Sequence, residues 1–577
     1  MIDSASEVDD DQVIDDIQSD DEINYTFEYV SLQESDPSEN TDQTSVIEAD
    51  RSFEADCLSR PIISEQAGNT LRGKNGHIWS TTKAKSSSKT SASNILHVSQ
   101  GPAPMCKNII DPVEIFNLFI TNEVISEIVK WTNVEMISKR QKVVKITATH
   151  RDTTDLEIRA FIGLLTLTAF MKDNHVSTDD LFNPTFSGAR YIAVMSKERF
   201  EFIVRCFRMD DKTLRPTLRP NDAFVPARNV WEMFIKQCRN NYIPGSEVTI
   251  DEQLIGFTGK CPFRIYIPNK PDKDGIKFPM MCDANSKYMI DAAPYIGRRT
   301  NTGGIPLSDF YVQKLSKTIH GSNRNITCNN WFTSIPLAKC LLEKPYNLTL
   351  VGALRSNNRE IPEQLKNSRS RPLGSSMFCF DGPLTLVSYK SKPAKMVYLL
   401  SSCDENAIIN EPSGKPEMIL YYNQTKDGVD TFVEMCASMS CSRKTNRWPM
   451  AVFYGILDMA FANSAILYVH NMLKNNKKPL CRRELMKQLS TGLITPWMEN
   501  RLRAPTLKRS LRENIKHILV KSTQSNCKNE KEELEPKKRR YCNFCSYKKR
   551  RMSKLMCYKC KKAVCGEHKI VMCIDCS

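Results

Sequence analysis

Around residue 246 the apolar residues of this chain stop recurring at helical spacing and begin to alternate. SEVTIDEQLIGF (246–257), GIKFPMMCDA (275–284), KYMIDAAPYIG (287–297) and RNITC (324–328) read as strands. A helical stretch, WFTSIPLAKCLLEK (331–344), separates them from one more strand, NLTLVGALR (347–355). Helical spacing precedes the block in PVEIFNLFITNEVISEIVKWTN (112–133) and in TDLEIRAFIGLLTLTAFMKD (154–173), and it returns from about 420 to 518. Thr154 and Glu157 open the second of these in a capping-box arrangement. Strands set between two helical stretches read as an α/β fold. Residues 356–416 add LTLVSYK and MVYLLSS between Pro-, Ser- and Lys-rich turns, which reads as a small β insertion. Residues 519–541 form a charged linker ending in PKKRR.

The longest apolar run, MAVFYGILDMAFANSAILYVH (450–470), contains Asp458, Asn463 and Ser464. Those groups are expensive in lipid, so the run is expected to be a buried core helix and no membrane association is expected. Pro449 suits its start.

Charge is unevenly spread. Residues 1–50 hold seventeen Asp or Glu and no Lys or Arg, in a 577-residue chain of net charge +15. The remainder is therefore strongly basic, which points to a polyanionic partner, nucleic acid above all, over a merely solvated lysine-rich surface. Residues 1–104 are acidic and then Ser/Thr-rich, a composition that buries too little apolar surface to offset chain entropy, and disorder is expected. The N-terminal residues do not read as a signal peptide. The twenty-one cysteines are therefore expected to be reduced, and where clustered to hold metal.

They cluster at the C-terminus, in C-x2-C-x11-C-x2-C-x4-C-x2-H-x4-C-x2-C. Two thiolates separated by two residues reach one tetrahedral zinc from a single turn. Four such pairs make two structural zinc sites, and so short a segment needs metal to fold. Cross-bracing would put Cys542, Cys545, Cys565 and His568 on one ion and Cys557, Cys560, Cys573 and Cys576 on the other; a sequential pairing is the alternative. The module is rich in Lys and Arg, which favours DNA contact. PKKRR (536–540) and KKRR (548–551) fit nuclear import signals.

Asp251, followed by Glu252, lies among apolar residues on the first strand, where a carboxylate is costly unless paired or metal-bound. Asp430 starts a later helical pattern, GVDTFVEMC. The fourth strand ends in NITCNNWFT (325–333), where Asn329 holds an amide at a position suited to a third carboxylate. Two-metal phosphoryl transfer uses about three such carboxylates around two Mg²⁺ ions.

Long stretches resemble the piggyBac transposases: IDEQLIGFTGKCPFRIYIPNKP, MMCDANSKYMI, HGSNRNITCNNWFTSIPLAK, NSRSRPLGSSMFCFDGPLTLVSYK, PAKMVYLLSSCDE, MILYYNQTKDGVDTF, CSRKTNRWPM and APTLKR. The resemblance runs from about residue 105 to the end. It implies an RNase H-like catalytic core (247–355 and 417–439) interrupted by the β insertion (356–416). An α-helical dimerisation and DNA-binding domain (105–246 and 440–518) would embrace that core, followed by the basic linker (519–541) and the zinc module (542–577). It implies excision through hairpin ends and insertion at TTAA, with Mg²⁺ on three aspartates. Asp251 and Asp430 match the first and third of these. The second falls on Asn329, and a further family aspartate falls on Val433, beside Glu434. Asn offers Mg²⁺ one neutral oxygen where Asp offers two anionic ones. The resemblance therefore implies a homodimeric nuclear protein that binds double-stranded terminal-repeat DNA and is catalytically impaired. An active transposase and a domesticated nuclear regulator are the alternatives. Lys270, Lys273, Arg443, Lys444 and Arg447 are the expected phosphate contacts.

Overall fold

The computed structural model describes residues 70–83, 100–186, 189–268, 270–297, 300–403, 407–531, 540–555 and 562–568, with the backbone alone for 521–531 and 540. The principal helices before the sheet are α1 (Pro112–Asn117), α2 (Asn122–Arg140), α3 (Asp155–Met171), α4 (Lys197–Cys206) and α5 (Val225–Asn241). The sheet region runs β1 (Glu247–Gly256), β2 (Asp274–Asp283), β3 (Met289–Ala292), α6 (Leu307–Leu315), β4 (Asn325–Cys328), α7 (Ile335–Leu342) and β5 (Thr349–Ala353). Then come β6 (Ser376–Asp381), β7 (Leu384–Lys392) and β8 (Lys395–Ser401). The chain closes with α8 (Glu417–Thr425), α9 (Gly428–Ser438), α10 (Trp448–Lys474), α11 (Arg482–Leu502) and α12 (Arg509–Lys531).

Local chemistry sets the helix starts. The Asp111 carboxylate accepts the Val113 and Glu114 N–H groups, with Pro112 in the first turn. Thr121 then caps α2, so the stretch read as one helix from 112 to 133 is two. At α3 only half of the expected capping box forms. Thr154 accepts the Glu157 N–H, but the Glu157 carboxylate turns to Arg199, which holds both its oxygens at 2.9 and 2.6 Å. That buried pair ties α3 to α4 and uses up the acid the box would have needed.

The central sheet is mixed. In the order β3-β2-β1-β4-β5, the first three strands pair antiparallel, and β4 lies parallel to both β1 and β5. The strands read as a separate insertion continue the same sheet: β8 pairs antiparallel with β5, and β7 and β6 follow. A hairpin of Thr70–Arg72 and Ile78–Ser80 adds to the edge of β6. Disorder, expected for residues 1–104, therefore does not extend to this hairpin. Trp79 explains it: the indole is fully buried and donates to the Glu360 carbonyl at 2.8 Å. The charged stretch expected to be linker from 519 is likewise helical as far as Lys531.

α10 is long and apolar enough to cross a membrane by length and composition, and it is buried inside the fold. Its polar residues have local work. Asn463 pairs with both main-chain groups of Met289 on β3, its Oδ1 accepting the N–H at 3.0 Å and its Nδ2 donating to the carbonyl at 2.9 Å. It thus substitutes for a neighbouring strand. Asp458 accepts the Ser440 hydroxyl at 2.6 Å and the Cys441 N–H at 2.8 Å, fixing the α9–α10 connection. Burial lifts the Asp458 carboxyl to about 7, against the pull of those two donors.

That shift has a sign. An unfolded Asp titrates near 4, so the group's contribution to stability is fully present below that pH and is lost as pH rises to about 7. Asp458→Asn removes the loss. Between pH 5 and pH 8 the variant should gain about 2–3 kcal/mol on the native chain in urea denaturation, and a constant difference would contradict the assignment.

Candidate functional site

The parallel pairing of β1 and β4 brings the first two site residues together. Ile250 is level with Cys328, so the next residues, Asp251 in the middle of the longer β1 and Asn329 just past the end of β4, emerge side by side. Asp430 arrives from the first turn of α9, where a carboxylate is also favoured by the helix dipole. Its helix is seated by a close approach. A Cβ on Gly428 would lie 2.3 Å from Thr249 Oγ1, so only glycine lets α9 settle there. Beneath it the Thr249 hydroxyl donates to the Thr425 carbonyl at 2.6 Å and the Thr327 hydroxyl to Thr425 Oγ1 at 2.8 Å. These buried hydroxyls lock β1, β4 and the α8–α9 junction to one another.

The Asn329 amide has a defined orientation. The Trp331 N–H donates to Asn329 Oδ1 at 2.8 Å, and an N–H can only be met there by oxygen. The amide nitrogen is thereby turned toward Asp251, whose Oδ1 it reaches at 2.6 Å, with Glu252 Oε2 at 3.4 Å. The loop is held by Thr333, whose hydroxyl donates to the Asn329 carbonyl at 2.8 Å. β5 leaves room for Thr333 only because residue 352 is glycine; a Cβ there would lie 2.0 Å from Thr333 Oγ1. Burial, followed by the negative charges of Glu252 and Asp430, pushes the Asp251 carboxyl well above its usual range, with Lys270 acting the other way.

Two lysines complete the site. Lys277 on β2 is nearly buried, 3.6 Å from Glu252 Oε2, with its ammonium 3.8 Å from the centre of the Trp331 ring. Burial lowers its pKa, and Glu252 and Asp251 partly restore it. Lys270 donates to the Glu252 carbonyl at 3.3 Å and lies 4.0 Å from Asp430 Oδ1. Glu252, Lys277 and Trp331 were not singled out as site residues in the sequence. The available signal was Lys277 itself, a lone cation in the apolar strand GIKFPMMC. Val433 is partly buried against the core and Glu434 is exposed. As they stand, these residues do not fit a magnesium pair. The position between Asp251 and the loop presents N–H donors, and the one Asn329 side-chain oxygen faces the backbone.

The expected phosphate contacts divide. Lys273 and Lys444 are exposed. Arg443 donates to the Asn174 and Val176 carbonyls, and Arg447 to those of Val204, Arg205 and Phe207 at 2.8, 3.2 and 2.5 Å. These two arginines are structural straps, and Arg447 closes the C-terminal end of α4.

At the other end of the chain, Cys542, Cys545, Cys565 and His568 converge, with their ligand atoms all within 4.8 Å of one another. His568 Nδ1 faces the thiols of Cys542, Cys545 and Cys565 at 3.6, 3.6 and 3.2 Å, and the Cys545 and Cys565 sulfurs are 3.7 Å apart. Tetrahedral zinc with Zn–S of about 2.3 Å requires sulfur–sulfur edges of about 3.8 Å, so the cluster fits that ion. The first and third cysteine-containing pairs meet, as cross-bracing requires and sequential pairing forbids. Cys557, Cys560, Cys573 and Cys576 lie outside the described residues. Burial opposes ionisation of Cys542, but the Phe544 and Cys565 N–H groups and the Cys565 and His568 side chains bring it down to about 6.

The family model described as Transposase IS4 matches residues 111–465, more than half of the chain. The chain belongs to the piggyBac-type transposases. The human PiggyBac transposable element-derived protein 3 is 25% identical to it over 363 residues, 58% of each chain. The human chimeric ERCC6-PGBD3 protein is 25% identical over 363 residues, 58% of this chain and 32% of that one. The aligned part thus spans less than two thirds of these relatives' length. The cryo-EM structure of the piggyBac transposase synaptic complex with hairpin DNA is 57% identical, with a TM-score of 0.71 over 83% of this chain and 100% of that one. The quoted motifs therefore led to the right family, and the mixed sheet with its helices resembles that transposase.

Zinc X-ray absorption of this piggyBac-type chain, which averages the Cys/His cluster with the expected all-cysteine site, should show mainly sulfur at about 2.3 Å with a minor nitrogen shell at about 2.0 Å. His568→Ala should lower zinc content by one ion per chain relative to the native protein. A shell without nitrogen would contradict the geometry.

Proposed function

We propose that this chain is a transposon-derived DNA-binding protein that docks on terminal-repeat DNA as a homodimer in the nucleus, with a catalytic centre that no longer cuts. The observation that carries the proposal is the Asn329 amide, which directs its nitrogen at Asp251 and its oxygen at the Trp331 N–H. A transposase of this type needs an anionic oxygen there to share two cations. The strand order β3-β2-β1-β4-β5, with β1, β4 and β5 parallel, supports reading residues 247–355 and 417–439 as an RNase H-like core. The helical segments 105–246 and 440–518 then form the dimerisation and DNA-binding domain around it.

DNA binding rests on the basic charge outside the acidic tail and on the likeness to a transposase solved with hairpin DNA. The zinc module, rich in Lys and Arg, is assigned to the terminal repeats, with structural zinc at Cys542, Cys545, Cys565 and His568. Lys444 and Lys273 are the phosphate contacts that remain exposed, and Lys270 lies where a bound strand would meet the carboxylates. PKKRR supports nuclear import.

The test is a paired assay on a family-type donor carrying terminal repeats and TTAA flanks. The native chain should bind that DNA, more weakly as salt rises, and release no cleaved ends in Mg²⁺. Asn329→Asp keeps one oxygen for the Trp331 N–H and turns the other to the site, so it should recover cleavage at least tenfold above background. Adding Asp251→Asn should abolish it again. Efficient excision by the native chain would overturn the proposal.

A further inference from the structure

Away from the strand ends, α3 and α11 border a half-open cavity of ≈ 550 Å³ that shares no residue with the site described above. Its volume is in the range of small-molecule sites. The floor is apolar: Leu167 and Phe170 from α3, with Met171 at the lip, 46% exposed. Tyr191 forms one wall, its hydroxyl donating to Asp173 at 3.4 Å.

Over this floor stand cations. Arg190 and Arg483 line the cavity, and among the described residues neither has a carboxylate partner. Lys487 lines it too, but is paired with Glu484 at 3.2 Å. Arg190 is the unusual one. Burial depresses its guanidinium, and among the described residues no hydrogen bond compensates it. Other covered guanidinium groups, Arg199, Arg447 and Arg371 among them, hold carbonyl or carboxylate partners, although Arg482 also keeps nitrogens without one. Among the described residues Arg483 approaches only the Met171 sulfur, at 4.0 Å. Asp173 and Glu484 also line the cavity, but they face Tyr191 and Lys487, so the two arginines above the apolar floor are left to a ligand that is anionic at one end and flat and apolar at the other.

We infer that this cavity is a nucleotide site: a phosphate between Arg190 and Arg483, and a base on the floor made by Phe170 and Met171 against Tyr191. The same chemistry comes from a free nucleotide or from a base turned out of a DNA strand. A base stacks on such a floor whatever its sequence, and extrusion from a duplex is least costly at an unpaired base. The inference does not depend on the state of the catalytic centre, because neither source requires cleavage.

The experiment uses the full native chain and three probes: dATP, inorganic phosphate, and a short single strand with one 2-aminopurine. Saturable dATP binding at least tenfold tighter than phosphate is expected by calorimetry, since phosphate lacks the base. Arg483→Gln, at an exposed position, should weaken dATP at least fivefold, and Arg190→Gln at least tenfold with the zinc content unchanged. Altered 2-aminopurine emission that dATP competes away would identify the strand as a source. dATP binding without that change would identify the free nucleotide. Equal affinity for phosphate and dATP, unchanged affinity in Arg483→Gln, or no saturable binding of either dATP or the strand would each overturn the inference.

Discussion

The site depends on β4 lying parallel between β1 and β5. This strand has only four residues, all buried, and both neighbours run in its direction. The strands start level, Glu247 opposite Asn325, so Asp251 within β1 and Asn329 just past β4 must meet once Ile250 is opposite Cys328. The Thr249–Thr425–Thr327 hydroxyl chain then adds α9, and Asp430 with it, to the same end. Shifting β4 by one residue would turn Asn329 away from Asp251 and Thr327 away from Thr425, breaking that chain. The geometry of the centre is thus a property of strand register and survives a change in the chemistry of one side chain.

That separation lets a site keep its shape when one of its side chains changes. The Asn329 amide fills the place of a carboxylate with nearly the same volume. Its nitrogen relieves the repulsion that two adjacent acids would feel without cations. Lys277 does the same for Glu252, and Lys270 lies near Asp430. The centre is neutralised from within the chain, where a two-metal site leaves its carboxylates for the ions.

Much of this was legible in sequence. Short apolar runs bounded by turn residues located β1 to β5, although β2, β3 and β4 are buried on both faces. The α10 run was read as core because Asp458 and Asn463 need partners that lipid lacks, and the structure supplies them at Ser440, Cys441 and Met289. What could not be read was what depends on long-range partners. Trp79 lies in a polar, Ser/Thr-rich background, and only β6 and Glu360 make its hairpin worth forming. Arg443 and Arg447 looked like surface charge because the carbonyls they bind are more than 200 residues away in sequence. Glu252 follows Asp251 directly, so alternation puts it on the other face, yet its carboxylate comes within 3.4 Å of the Asn329 amide nitrogen. The Asn329 substitution was visible in the sequence, but the direction of its amide follows only from the Trp331 N–H.

The central claim is that the strand-end centre cannot assemble a cation pair while residue 329 is an amide. Manganese electron paramagnetic resonance on the intact chain tests it without reference to DNA or turnover. The native protein is predicted to show no spin-coupled manganese pair, and Asn329→Asp to show one. A coupled pair in the native protein at comparable affinity would contradict the account.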